Sequence, residues 1–363
     1  MTATTDRRTG ESADERLLSF LADALHERSA GPRRADDELA GAICSGRFAV
    51  LADRLGLEHP SFAAQERKLF VTTSLVIEVS AWCIELLRAA GVRAATYKGP
   101  AMAVQLFGDP VVRPSSDVDL LVAPDDLPRA RAALVAAGLR PAERYPDWYE
   151  RRWHYHELLL GTPEHGSLPV ELHWSFARPG LIGGDVVGVL DELDDVPCGS
   201  RLLPAPALPW QLVACAVHAV QHYFTPRPLF DVALLARRLD EAGWFAVARL
   251  ARRLRLEPSL YYAVTVSARR LRWRPPALIE SLRPPAWRDA VVQAALARLP
   301  LVAFPGAGGR QAMKAITPLA CVSGNGWLKG LAYQVSDRPR LAAAARRVTD
   351  GARGRGAQIS ATD

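Results

Sequence analysis

Lysine is scarce. Of 45 basic residues only four, Lys68, Lys98, Lys314 and Lys329, are lysines, so a lysine inside a motif stands out against an arginine background. Cysteine is sparse too: five scattered residues, Cys44, Cys83, Cys198, Cys215 and Cys321, with no C-x-x-C among them. An odd, dispersed set argues against a disulfide framework or a structural zinc site and suits small core residues in a reducing compartment. No uninterrupted apolar run approaches the length needed to cross a bilayer. Met1 to Arg16 is polar and mixed in charge, without the apolar centre of a signal peptide, so a cytoplasmic protein is expected. Aromatic residues do not interleave with basic ones, which leaves a nucleic-acid-binding surface without a pattern behind it. No fixed-period repeat is visible, which excludes a solenoid.

What is present is enough for a substantial core. The 363 residues are 49% hydrophobic, with 45 basic residues nearly matched by 39 acidic ones for a net charge of +6. That balance is compatible with anionic partners such as nucleotides without requiring them. Residues 1–15 and 351–363 read as unstructured tails. Residues 16–90 form an N-terminal helical region, with Ser61 as the N-cap of a long helix reaching Ala90. Residues 91–203 alternate strand and helix, and 204–350 form a helical domain with Pro-rich joints at 204–209, 226–228, 275–276 and 284–285. Its helices are expected near 209–224, 228–240, 243–254, 258–272, 286–298, 311–321 and 339–348.

Within 91–203, Val92 to Tyr97 reads as a first strand and Ala101–Phe107 as a helix opened by Lys98-Gly99-Pro100. A strand, a glycine turn and a helix N-terminus make a seat for phosphate, since free N–H groups and the helix dipole face the anion. The next strand, Asp117–Val122, carries two carboxylates two residues apart, so Asp117 and Asp119 share one face. Two like charges side by side suit either open solvent or a cation between them. Leu127–Ala137 reads as a helix. Trp153–Leu160 and Leu168–Trp174 read as a hairpin whose second strand places Glu171 and His173 on one face and Val170, Leu172 and Trp174 on the other. Glu171 alone equally suits a solvated outer face. His154, His156 and Glu157 form a His-x-His-Glu cluster that zinc could use, though half-buried strand histidines need no metal. His218 and His222 lie four apart on a helix, with Asp231 on the next. Either a His–Asp pair fixing two helices or a pocket wall fits them; the His-Glu-x-x-His zinc motif is absent, and so is a deaminase Pro-Cys-x-x-Cys.

Taken together these segments resemble the nucleotidyltransferase fold of the DNA polymerase beta superfamily. More closely they look like a bacterial family of uncharacterised nucleotidyltransferases whose pattern is Lys-Gly, then Arg-x-x-x-Asp-h-Asp-h-h-Val (h, apolar). Lys98, Gly99, Arg113, Asp117, Asp119 and Val122 match it, as do Glu171-Leu172-His173-Trp174 and His218-x-x-x-His222 followed by Asp231. The resemblance implies a mixed α/β core with flanking helices and an Mg²⁺-dependent transfer, on a two-ion site, of a nucleoside monophosphate from an NTP. ATP is the favoured donor. The acceptor would be a hydroxyl, amine or phosphate of a small molecule, peptide or protein. It implies Asp117, Asp119 and Glu171 as metal ligands, with Glu171 also helping to deprotonate the acceptor. Gly99 would approach the β- and γ-phosphates, and Lys98 or Arg113 would neutralise them. The wider superfamily has Gly-Ser or Gly-Gly at this turn, whereas Pro100 and Ala101 follow Gly99 here; Ser115 or Ser116 would have to supply the missing hydroxyl. A non-catalytic nucleotide-binding protein on the same fold, and an RNA-modifying transferase, are the competing readings.

Overall fold

Ser12 starts the first helix of the computed structural model, which describes residues 4–5, 12–27, 33–142, 154–161, 168–178, 181–298, 316–324 and 328. Its hydroxyl accepts from the Glu15 N–H while the Glu15 carboxylate accepts from the Ser12 N–H, a capping box that lets helix α1 (Ala13–Leu25) begin inside the stretch read as a tail. Arg16 then ties α1 to helix α2 (Asp37–Ser45) through Asp36, which also caps α2. Helix α3 (Ala49–Arg54) follows. Strands β1 (Thr4–Thr5), β2 (Arg33–Arg34) and β3 (Leu57–Glu58) form a minimal parallel sheet that the sequence pattern did not announce. Two-residue strands carry no periodicity to read.

Helix α4 (Pro60–Ala89) is capped not by Ser61 but by His59, whose imidazole accepts from the Ser61 N–H at 3.2 Å. Pro60 at the first helical position, where no intrahelical partner is needed, moves the start one residue earlier. Contrary to the reading of the apolar runs, α4 is long and apolar enough to cross a membrane by length and composition. Its Val76, Val79, Cys83, Ile84 and Leu87 are instead packed against the central sheet.

That sheet has five strands in the order β4 (Ala94–Thr96), β5 (Val118–Val122), β8 (Pro169–His173), β7 (His156–Leu160) and β6 (Arg140–Pro141). Strands β5 and β8 are parallel and the other neighbours antiparallel, giving a mixed sheet. Helices α5 (Gly99–Phe107) and α6 (Leu127–Ala136) occupy the spans expected for them, α5 starting at the glycine itself. Val118, Leu120, Val122, Val170 and Leu172 point to one face and join the α4–α6 core. The alternate residues point to the other face, where Leu121 joins Tyr97 and Met102 in the core of the C-terminal helices. Trp153, the hairpin loop at 162–167 and the helix expected near 339–348 lie outside the described residues.

A second hairpin, β9 (Leu193–Cys198) and β10 (Arg201–Pro206), occupies part of what the prolines marked as a joint. Proline lacks a ladder donor and belongs at sheet edges, and this two-stranded ribbon is all edge. Val196, Cys198, Leu203 and Ala205 hold it against Ile77, Ala81 and Ala101, and Thr96 donates from its hydroxyl to the Pro204 carbonyl at 2.8 Å. The helical region then runs through α7 (Leu208–Gln221), α8 (Pro226–Arg238), α9 (Glu241–Arg253), α10 (Glu257–Leu271) and α11 (Ala286–Arg298); the described part of the segment expected at 311–321 is helical over 316–321. The N-terminal helices pack on Phe230, Ala233 and Leu271 of this bundle. One cavity is therefore walled by three parts of the chain: sheet, N-terminal helices and C-terminal helices.

Candidate active site

Thr96 ends β4, and two residues later the chain makes a turn that only glycine adopts freely. Lys98 sits at φ 70°, ψ −135° and Gly99 at φ 59°. For a residue with a Cβ this region costs about 1–3 kcal/mol and persists only where surrounding structure enforces it. Here the enforcement is visible: the Tyr97 N–H donates to the Asp119 carbonyl at 2.8 Å, and the Lys98 ammonium lies 4.3 Å from the Tyr97 ring centroid and 3.1 Å from His218 Nδ1. A Cβ on Gly99 would meet nothing within 4 Å, so the demand at that position is for the backbone angle and not for room. His218 accepts from Lys98, and burial followed by the Lys98 charge holds its imidazole neutral, well below the ordinary range. The His222 ring lies against it, tilted by 41° at 4.0 Å between centroids, and desolvation of the imidazole, then Lys98, lower its pKa to about 4.

The carboxylates come from the start of β5 and the middle of β8. Parallel register sets Asp119 opposite Glu171 and Leu121 opposite His173, which brings both acids and the imidazole onto one face. Asp117, just ahead of β5, accepts from the Ser115 hydroxyl at 2.8 Å. Burial, and then the Asp119 charge, push the Asp117 carboxyl up. His173 is 2% exposed; its Nε2 lies 3.0 Å from Asp119 Oδ1 and 3.2 Å from Glu171 Oε2. Burial alone would strip its proton, yet hydrogen bonds to the two carboxylates outweigh that and raise its pKa. On Glu171 burial acts upward, but the His173 hydrogen bond and charge win and pull it down to about 2.

Tyr97, stacked on Phe176 at 5.3 Å, also meets the His173 ring at 5.0 Å and fixes its plane. His156 stands opposite His173 on β7, its Nε2 4.0 Å from Glu171, and burial followed by His173 lowers it to about 4. The histidine cluster expected from His154, His156 and Glu157 is thus rearranged. Strand alternation sends Glu157 to the far face, where it pairs with Arg131 at 2.7 Å. His156 instead joins Glu171 and His173, whose donor atoms lie within 4.8 Å of one another.

Arg113 and Asp231 form a second correction. Arg113 Nε and Nη2 donate to the two carboxylate oxygens of Asp231, each at 2.7 Å, with side chains 10% and 4% exposed. Asp231 is therefore the partner of Arg113 and not of either helical histidine. Burial would lower the arginine's pKa, but Asp231 more than offsets it and raises it. With its fork committed, Arg113 acts as a clamp between the loop before β5 and helix α8. Two other arginines, which the sequence reading passed over, reach the same loop: Arg47 donates to the Ser116 hydroxyl at 2.9 Å and Arg227 to the Pro114 carbonyl. Arg227 lay hidden in a Thr-Pro-Arg-Pro joint and Arg47 in a turn after Gly46. Nothing in either local pattern shows where the fold sends it.

Twelve of the residues singled out from the sequence, Lys98, Gly99, Arg113, Ser115, Ser116, Asp117, Asp119, Glu171, His173, His218, His222 and Asp231, line one cavity of about 530 Å³, and His154 and Glu157 do not. His156, Tyr155, Arg47 and Arg227 line it too, with Phe48, Pro226 and Pro228 as apolar wall. Of its charged side chains, Arg113 and Asp231 cancel. Three cations (Arg47, Lys98, Arg227) and three carboxylates (Asp117, Asp119, Glu171) remain. Among the described residues no ion pair joins one of these cations to one of these carboxylates, and it is His173 that bridges Asp119 and Glu171. Oxygen donors converging from two strands suit a hard divalent cation, and an Asp117 whose charge is disfavoured by burial and by Asp119 is the kind of ligand a cation relieves.

A family model described as "uncharacterised nucleotidyltransferase" matches residues 64–272, more than half of the chain. No curated protein matches. Among solved structures, the chain is similar to the antibiotic-resistance factor ANT(2'')-Ia at 15% identity, TM-score 0.33, covering 50% of this chain and 93% of that one. It is likewise similar to an antigenic nucleotidyltransferase-like protein from Paracoccidioides brasiliensis at 14% identity, TM-score 0.33, covering 56% of this chain and 95% of that one.

Proposed function

The chain belongs to that nucleotidyltransferase family, and on this premise we propose that it transfers a nucleoside monophosphate from an Mg²⁺-bound NTP, ATP being the favoured donor, to a small-molecule, peptide or protein acceptor. The acceptor's oxygen or nitrogen forms a bond to the α-phosphorus as the bond from that phosphorus to the β-phosphate's bridging oxygen breaks, and pyrophosphate leaves. One observation carries the reading: three cations and three carboxylates face a shared cavity without pairing with each other. A metal–triphosphate complex has the alternation of charge that such a cavity would complement, with cation toward the carboxylates and phosphates toward the ammonium and guanidinium groups.

In this reading Asp117, Asp119 and Glu171 would hold Mg²⁺, which would supply the positive charge that neutralises pyrophosphate and makes an acceptor a better nucleophile. Lys98, kept at the turn by Tyr97 and His218, meets the β- and γ-phosphates together with the first N–H groups of α5. His173 holds a proton between Asp119 and Glu171 in the metal-free protein and so keeps both carboxylates aimed into the cavity. The Arg113–Asp231 clamp keeps the loop before Asp117 in place. The test is release of pyrophosphate from each NTP with Mg²⁺ across an acceptor panel. Release that depends on Asp117 and Asp119 supports the reading, and release that survives Asp117→Ala with Asp119→Ala refutes the metal assignment.

A further inference from the structure

The nucleotidyltransferase motifs place their cation at the Lys98 turn, yet two more cations reach the cavity from helices outside the central sheet. Arg47 follows the C-cap of α2, in the N-terminal helices, and Arg227 lies in the first turn of α8, in the C-terminal bundle. Both come to the 113–116 loop, and both line the cavity beside Ser116. Each makes a single polar contact among the described residues, to a neutral acceptor: Arg47 to the Ser116 hydroxyl, Arg227 to the Pro114 carbonyl. A guanidinium offers five N–H donors in a rigid fork, so most of the donors on both side chains remain for something else. The carboxylate nearest in role, Asp231, is already forked by Arg113, so it and Asp117 act on Arg227 only through space and neither hydrogen-bonds it.

We propose that Arg47 and Arg227, with the Ser116 hydroxyl, form a phosphate subsite separate from the Lys98–Gly99 turn and built by the helical layers rather than by the nucleotidyltransferase core. Two uncompensated guanidinium groups match a doubly charged phosphate in charge, and their forks match its oxygens in shape. Burial, then the neighbouring Arg113, lower the Arg227 guanidinium's pKa to about 9, so it stays protonated at neutral pH while lacking an anion. The phosphate is either the terminal one of the NTP or one carried by the acceptor. The inference draws on the proposed function for that choice, but phosphate binding itself does not depend on it.

The experiment is calorimetric titration of inorganic phosphate into the full-length, metal-free protein: wild type, Arg47→Gln, Arg227→Gln and Asp117→Asn/Asp119→Asn. Binding by wild type, weakened tenfold or more in each arginine variant and kept or strengthened in the aspartate variant, supports the subsite even if no nucleotide transfer is ever found. Repeating the titration with saturating ATP and Mg²⁺ separates the sources. Phosphate that still binds assigns the subsite to the acceptor; phosphate displaced by ATP, together with weaker ATP binding in the arginine variants, assigns it to the donor. If Arg227→Gln does not fold, Arg47→Gln, on a half-buried residue, decides alone. A wild type that does not bind phosphate, or a phosphate affinity unchanged in Arg47→Gln, overturns the proposal.

Discussion

Two groups of buried charge line the same cavity, and they are built on opposite principles. Arg113 and Asp231 meet through two 2.7 Å hydrogen bonds and satisfy each other. Asp117, Asp119 and Glu171 face Lys98, Arg47 and Arg227 across the cavity and meet none of them, while Asp119 and Glu171 share one nitrogen of His173. A satisfied pair holds structure together, whereas cations and carboxylates kept apart in one cavity can be joined by a ligand that carries both signs. The difference lets these residues be sorted. Arg113 and Asp231 support, and the three carboxylates and Lys98 are the candidates for binding.

The contrast is broken most severely on the unpaired side. Asp117→Ala with Asp119→Ala is expected to lower pyrophosphate release by on the order of 10²–10³-fold or more, since it removes the electrostatic centre of the site. The fold should survive with a modest change in melting temperature, since relief of the disfavoured Asp117 charge raises it and loss of the Asp119 partner of buried His173 lowers it. On the paired side the expectation reverses. Asp231→Asn strands a buried guanidinium and should cost about 3–5 kcal/mol of stability, read by chemical denaturation, and activity should fall only as far as the fold does. Replacing both members, Arg113→Met with Asp231→Leu, should recover much of that loss.

A smaller effect is expected at the turn. Lys98→Gln should weaken ATP binding by about tenfold, as loss of one charge-assisted contact does, with a small stability loss because the contacts to Tyr97 and His218 that help hold the turn at φ 70° go with the ammonium. The smallest and most diagnostic effect is in pH. His173 has a raised pKa in the fold, so its contribution to stability is complete below its ordinary value near 6.5 and is lost as pH rises through the folded value. His156 is lowered to about 4, so its contribution is present above about 6.5 and is lost as pH falls toward 4. Melting curves in EDTA should therefore show a decline on the alkaline side that His173→Gln removes and an acid-side decline between about 6.5 and 4 that His156→Gln reduces.

Much of this site was legible before the fold was known, for a simple reason. Strand alternation fixes which side chains share a face, so spacing paired Asp117 with Asp119 and Glu171 with His173; the family resemblance implied that the two pairs converge, and the β5–β8 register sets Asp119 opposite Glu171. Helix punctuation likewise placed α4 and α5 to within a residue or two, and α7 to within three. What was illegible depends on contacts between segments far apart in the chain. Of the two readings open for His218, His222 and Asp231, the pocket wall is what the fold builds, and the Asp231 partner, Arg113, lies 118 residues away where no local pattern points to it. Arg47 and Arg227 carry no motif, and only the packing of the outer helices on Phe230 and Leu271 brings their layers to the cavity. The β9–β10 hairpin was masked by its prolines, which usually argue against a strand but are tolerated in a ribbon made only of edges.

The central claim is that the unpaired charges are kept for a metal–nucleotide complex. Its most direct test is calorimetric titration of ATP, CTP, GTP and UTP into wild type and Asp117→Ala/Asp119→Ala, with and without Mg²⁺. The account predicts that one NTP binds the wild type only with Mg²⁺ and that the variant loses this binding while keeping its fold. Binding that is the same with and without Mg²⁺, or the same in the variant, would contradict it.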